Sequence, residues 1–337
     1  MSTVTGTTWN CYDSATMTPR EIYGRTLAEL AKTNDKIVGL TADLEKTTAM
    51  IHFAKAFPDR FFNVGIAEQD MFGAAAGLAK TGLIPFASTM AAFASMRACE
   101  QVRTDICYQN LPVKIIATHA GISFGHAGTT HHCTEDLAIM RSMANMTVIA
   151  PADGIETSRA VRACMDIPGP VYIRIGRGFE PPCYKDESYD FKIGKAVEMR
   201  EGKDLTIICC GIAVLQSVLA AKQLEEQDGL SVRVINMHTI KPIDKDAIMK
   251  AVTETRRILT IEEHNVIGGL GDAVGSVIAE SGKGCVFRKH GMQDCFSEIG
   301  YAEDLYSYYG FDADGIIDKV RQMMGLEFEA DENWEDE

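Results

Sequence analysis

Phe61-Phe-Asn-Val-Gly-Ile-Ala-Glu-Gln-Asp-Met-Phe-Gly-Ala-Ala-Ala-Gly77 is the stretch whose reading decides the fold of this chain. It reads as a short strand from Phe61 to Val64, a turn at Gly65 and a helix packed with small residues. One carboxylate, Glu68, stands where the helix begins, with apolar residues around it in sequence. Burial in such a run disfavours the charged form, while a helix N-terminus favours it. A proton held in that balance suits acid–base chemistry. A first-turn capping glutamate is the plainer reading of an isolated Glu, so the rest of the chain has to decide between the two.

The 337 residues are enough for two ordinary domains. The net charge is −14, and half of it sits after Gly325, where seven acidic residues occur with no Lys or Arg. That tail reads as a solvated, disordered segment. The body is acidic and carries no basic stripe, which argues against nucleic-acid binding. The ten cysteines include no Cys-x-x-Cys and most lie in apolar or helical surroundings, unlike a disulfide framework. No basic-then-apolar leader opens the chain and no apolar run approaches ~18 residues, so the expectation is a soluble, cytoplasmic protein with no membrane partner.

From Thr18-Pro19 the chain alternates helix and strand. Strands are expected at Lys36–Leu40, Phe61–Val64, Ile84–Ala87, Val113–Thr118, Thr147–Ala150 and Val171–Ile175, with Phe93–Cys107 and Asp153–Asp166 helical. Lys114 alone breaks the apolar Val113–Thr118 run, the pattern of a strand buried on both faces. A stretch with two prolines and no periodicity, Gly178 to Phe191, reads as a linker. A second alternating unit follows, with strands at Leu205–Cys210, Ser231–Asn236 and Arg257–Ile261. Its helices are expected at Ala213–Gln227, Asp244–Thr253 and Gly271–Glu280. Such alternation argues for parallel sheets covered by helices, and ligands then gather beyond the strands' carboxyl ends. That places Asp43, the Glu68 turn, Ser88-Thr89 and the loop after His119 along one edge. His119, His126, His131 and His132 cluster in that loop beside Cys133 and Glu135. Their spacing is not that of a structural zinc site, and no metal ligand is assigned in this chain. The glycine run Ile267-Gly-Gly-Leu-Gly-Asp-Ala-Val-Gly275 imitates a dinucleotide fingerprint but has Val274 at the third glycine site, so it reads as a tight strand-to-helix turn.

Val64-Gly-Ile-Ala-Glu-Gln69 with Met71, Ala87-Ser-Thr89 and Ala117-Thr-His-Ala-Gly121 resemble the C-terminal half of transketolase, particularly the form split into two polypeptides. The resemblance spans about Thr18 to Met324. It implies an α/β chain with a doubly wound parallel-sheet pyrimidine-binding domain over 18–178. A linker over 179–191 and a smaller α/β C-terminal domain with a mixed sheet over 192–325 follow, flanked by an arm at 1–17 and the acidic tail at 326–337. It implies thiamine diphosphate as cofactor, with Glu68 binding the ring nitrogen of the aminopyrimidine. Met90, Phe93 and Met96 fall on three aromatic positions that line that ring; only Phe93 remains aromatic, and a thioether can still pack against a ring. On periodicity alone, burial in the core is the better reading for Met96 and an even one for Phe93. Asp43 and Leu44 complete the expected cofactor contacts.

By the same resemblance His119 and His131 face cofactor and sugar hydroxyls as proton shuttles and hydrogen-bond donors, while His132 also admits a purely local bond. Arg20, Thr47 and Arg177 match the grip on a substrate's terminal phosphate, with Arg97 nearby; forked guanidinium donors suit phosphate and sulfonate alike. In Gly125-His-Ala-Gly128, Ala127 stands where the family carries an acid that reads a donor hydroxyl, so that readout is lost or moved, with His126 the substitute. No Gly-Asp-Gly magnesium–diphosphate motif occurs anywhere. The Mg2+ and diphosphate are therefore expected on a separate N-terminal subunit, in an α2β2 assembly that transfers a two-carbon ketol unit from a ketose to an aldose. The β subunit of a 2-oxoacid dehydrogenase decarboxylase, a deoxyxylulose phosphate synthase-like subunit and a non-catalytic assembly subunit remain as alternatives.

Overall fold

The computed structural model describes residues 17–178, 181–184 and 190–325. The expected arm before Met17, the acidic tail and most of the linker lie outside these residues. Helix α1 (Pro19–Thr33) starts where the Thr18-Pro19 pair predicts, with a capping box between Thr18 and Glu21 and proline in the first turn. A Cβ on Gly24 would lie 2.1 Å from the Ala49 carbonyl oxygen, so α1 presses directly on the chain that follows β1.

The first sheet contains β1 (Ile37–Thr41), β2 (Phe61–Asn63), β3 (Ile84–Met90), β4 (Lys114–Thr118), β5 (Thr147–Ile149) and β6 (Val171–Arg174). Their spatial order is β5-β6-β4-β3-β1-β2, all parallel. The chain runs outward in opposite directions from the β1–β3 pair, which makes a crevice beyond the carboxyl ends of these two strands. β1 and β4 are buried along their whole length, as parallel strands between two helix layers should be. Lys114 fits there because its ammonium group donates to the Ile167 and Gly169 carbonyls at 2.6 and 2.9 Å. The covering helices include α2 (Ile51–Ala56), α3 (Glu68–Lys80), α4 (Asp136–Ser142) and α5 (Gly154–Ala163).

The second sheet is smaller and mixed: β7 (Val197–Arg200), β8 (Leu205–Cys209), β9 (Val232–Asn236), β11 (Arg257–Asn265) and β12 (Val286–Met292), in the order β12-β11-β8-β9-β7. Only β7 runs antiparallel. Its helices are α6 (Ala213–Asp228), α7 (Lys245–Glu254), α8 (Leu270–Ser281), α9 (Ala302–Tyr308) and α10 (Ala313–Met324). The sequence reading located neither β7, which is only four residues long, nor β12, whose Arg-Lys-His centre breaks any apolar run or alternation.

The two units are tied together more closely than an alternation of elements suggests. β10 (Thr239–Lys241) leaves the second unit and adds antiparallel to β5 of the first. Residues of both units, such as Val113, Tyr172, Ile208 and Ile258, share one hydrophobic core. Across the seam, Arg174 donates Nη2 to the Glu263 carbonyl at 2.7 Å, and within the first unit it donates Nε to Asp136 Oδ2 at 3.0 Å. Asp136 also accepts from the Tyr172 hydroxyl at 2.7 Å and is fully buried. Among the described residues no helix is long and apolar enough to cross a membrane.

Removing one member of a buried ion pair leaves the other charge without compensation. Arg174→Leu is expected to cost about 3–5 kcal/mol of stability, read as a fall in the urea midpoint with an unchanged slope.

Candidate active site at the carboxyl edge of the first sheet

Asn63, the last residue of β2, accepts from the backbone N–H groups of Gly65 and Asp43, both at 3.0 Å. This one amide sews the turn after β2 to the end of β1 and aims α3 inward. Gly65 holds φ +75°, a conformation glycine adopts without penalty. Glu68 is the first residue of α3 and only 1% exposed. It makes no hydrogen bond to a helix-terminal N–H among the described residues, so the capping reading falls away. Its Oε2 instead accepts from Arg97 Nη1 at 2.8 Å. The Arg97 guanidinium lies 4.1 Å over the Phe93 ring and its side chain is 46% exposed. Arg97, placed by sequence among the substrate contacts, is thus the counter-ion of the buried acid.

The expected row of Met90, Phe93 and Met96 does not form one helix face. β3 runs on past Ala87 to Met90, so Ser88, Thr89 and Met90 are buried strand residues, not loop residues beyond the strand. The following segment winds as a π-helix over Phe93–Arg97 and again over Val102–Cys107. A π turn rotates less per residue than an α turn, so a spacing of three no longer repeats one face. Phe93 is half-buried, and Met96, read by periodicity as core, is exposed.

β4 delivers the chain into the histidine loop. His119 is 1% exposed and held at φ +59°, a left-handed conformation uncommon outside glycine and characteristic of functional strain. Its Nδ1 lies 2.9 Å from Thr118 Oγ1. Burial, reinforced by Arg20, Arg177 and His131, pushes its pKa down to about 3. His119 is therefore neutral at physiological pH and offers a hydrogen bond, not a cationic proton. His131 packs edge-on against Phe93 with ring centroids 5.5 Å apart. His132 is buried and its Nε2 donates to the Gly125 carbonyl at 2.9 Å, a local bond that shapes the loop.

Phe124 escaped the sequence reading. Its ring lies 4.7 Å from His119, 5.4 Å from His126 and 5.6 Å from His131, with the Arg177 guanidinium 5.2 Å from its centroid. One ring thus spaces three histidines and an arginine, and a lone Phe in a glycine-rich loop gives no such signal. Arg20 donates to the Thr47 carbonyl, so these two expected anion contacts do meet. Both Arg20 and Arg177 lie near enough to act on His119. Arg177 follows β6 and has no carboxylate partner among the described residues. Asp43, at φ +60°, and Leu44 follow the end of β1, where the Leu44 N–H donates to the Thr41 hydroxyl.

Two family profiles match the chain: "Transketolase, pyrimidine binding domain" over residues 15–179 and "Transketolase, C-terminal domain" over residues 194–316. A putative transketolase C-terminal section from Methanocaldococcus jannaschii is 44% identical across 91% of this chain and 96% of its own. The chain belongs to the transketolase family. The 6-deoxy-6-sulfo-D-fructose transketolase subunit SqwH of a Clostridium species is 39% identical over 90% of this chain and 94% of that one. A solved split-gene transketolase, described as an inactive β4 tetramer, superposes with a TM-score of 0.85 at 44% identity, covering 93% of this chain and all of that one.

The residues present suit the pyrimidine half of the family's cofactor. A buried carboxylate and a half-buried aromatic ring are linked through the Arg97 guanidinium, which bonds Glu68 and lies over Phe93. Among the described residues no group of three or more His, Cys, Asp or Glu is arranged to hold a metal, and this includes the histidine loop. The glycine run of this transketolase relative is a turn, as its sequence suggests: Glu262 accepts from the Leu270 and Gly271 N–H groups at 2.6 and 2.7 Å, which occupies the start of α8.

The folded state holds His119 at a pKa below its unfolded value, so protonation favours unfolding. Its contribution is intact above pH ~6.5 and is lost as pH falls from there toward 3. His119→Asn should flatten the slope of stability against pH across that window, measured by urea unfolding at a series of pH values.

Proposed function

We propose that the chain is the C-terminal subunit of a two-component, thiamine diphosphate-dependent transketolase that moves a two-carbon ketol unit between sugars with an anionic tail. The observation that carries this reading is Glu68. It is a buried acid whose charged partner among the described residues, Arg97, is 46% exposed, and Phe62, Ile66 and Met96, near the pair in sequence, are exposed. An acid buried on one side, with an apolar rim on the other, suits a site finished by a second polypeptide. That polypeptide would carry the Mg2+ and the diphosphate.

Thiamine diphosphate, when bound, supplies the nucleophilic carbon and the electron sink for ketol transfer. Glu68 would hold a proton at the pyrimidine ring nitrogen, with Phe93 against the ring and Met90, Met96, Asp43 and Leu44 around it. Arg97 would release Glu68 for this contact and keep its place over Phe93. His119, neutral and buried, would donate a hydrogen bond to oxygens where charge develops, a role that benefits from a dry site. His131 and His126 would serve the sugar hydroxyls. Arg177, with Arg20 and Thr47, would receive the tail anion; a sulfonate or a phosphate presents the same oxygens to a guanidinium. The sulfonated substrate named for the Clostridium relative supports an anion at that end.

Reconstitution with a subunit carrying the diphosphate-binding half is the direct test. The pair should transfer ketol units from phosphorylated or sulfonated ketoses, and Glu68→Gln should lower turnover at least a thousandfold, about the loss of one catalytic acid, while the pair still assembles by size-exclusion chromatography. Decarboxylation of 2-oxoacids in place of ketol transfer, or full activity in Glu68→Gln, would overturn the assignment.

A further inference from the structure

A cavity of about 500 Å³ is lined by Arg177, and most of its other lining residues belong to the second domain. Arg177 and His126 line it from the first domain; Gln216 from the first turn of α6, with Tyr301, Glu303 and Tyr306 at and within α9, line it from the second. A phosphate or sulfonate group alone fills a small part of such a volume, which is the size of pockets that hold whole small molecules.

The wall is built against the turn where the acid of the family is missing. A Cβ on Gly125 would lie 2.5 Å from the Gly300 carbonyl oxygen, and one on Gly128 would lie 3.0 Å from Ile299 Cδ1. At Gly125 the turn therefore packs backbone to backbone against residues 300–302, while the Ile299 side chain covers Gly128. Ala127 has no side chain with which to read a hydroxyl, but the neighbouring segment presents Tyr301, which is 74% exposed at the cavity. The Gln216 amide has no hydrogen-bond partner among the described residues, although it lines the same space. An aromatic face, an amide without a hydrogen-bond partner among the described residues, and a cation without a carboxylate partner among them make a surface suited to a polyol that ends in an anion.

We infer that the second domain forms the outer wall of the sugar site, and that Gln216 and Tyr301 select sugars by the hydroxylated carbons next to their anionic tail. The tail sits on Arg177, and the hydroxyls beside it meet Gln216 and Tyr301. This deepens the proposed ketol transfer and rests on it.

The experiment uses the reconstituted two-subunit enzyme with one donor ketose and two acceptors, ribose 5-phosphate and glycolaldehyde. Glycolaldehyde has two carbons and no tail with which to reach the wall. In Gln216→Leu and in Tyr301→Ala, the ratio of kcat/KM for ribose 5-phosphate to that for glycolaldehyde should fall about tenfold, the size of one hydrogen bond. The fall should be carried by KM, and Tyr301→Phe should recover part of it. A ratio unchanged in both variants, whether both acceptors keep their rates or lose them together, would overturn the inference. A wild-type pair with no ketol transfer to either acceptor would instead sink the transketolase reading itself.

Discussion

A carboxylate taken almost wholly out of water must find a partner, and at the head of α3 the partner is a single guanidinium that leans in from solvent. Much of the site follows from that constraint. Glu68 is 1% exposed while Arg97 is 46% exposed, so the pair is neither a core salt bridge nor a surface one. The acid is dry and the cation is not, which leaves the cation replaceable. A ligand that brings its own hydrogen-bonding nitrogen can take the place of Arg97 at less cost than if both groups were sealed inside. Close to this pair in sequence, the apolar residues Phe62, Ile66 and Met96 stand exposed.

The histidine loop is held by different means. It is anchored from the second domain, where Glu263 accepts from the Ile122 N–H at 2.7 Å and the Thr134 carbonyl accepts from the Asn265 N–H at 2.8 Å. Gly121 has no room for a side chain, since a Cβ there would lie 2.2 Å from the Glu263 carboxyl carbon. A loop otherwise rich in glycine thus becomes a fixed platform, with Phe124 as the spacer between its imidazoles and Arg177. The second domain therefore holds the loop of the first in place, besides extending the fold.

What was legible in the sequence lies at the ends of strands. Glu68, His119 and Arg177 each follow a short apolar run, and a parallel sheet sends the residues after such runs to one edge whatever the details of packing. What was not legible depends on neighbours distant in sequence. The Arg97–Glu68 pair joins residues 29 apart across a π-wound segment, and no local pattern announces a π turn. Met96 escaped burial for the same reason. β3 runs three residues past its expected end because Ser88, Thr89 and Met90 go on pairing with Ile116, Ala117 and Thr118 of β4. β10, three residues long, has its place only because an edge of the first sheet is open to it.

The central claim is that this chain holds only half of a cofactor site, and equilibrium binding tests it most directly. Isothermal titration of thiamine diphosphate with Mg2+ should give no measurable heat of binding on the isolated chain. It should give saturable binding once the subunit carrying the diphosphate-binding half is added. Tight, metal-dependent binding of thiamine diphosphate by the isolated chain would contradict the account.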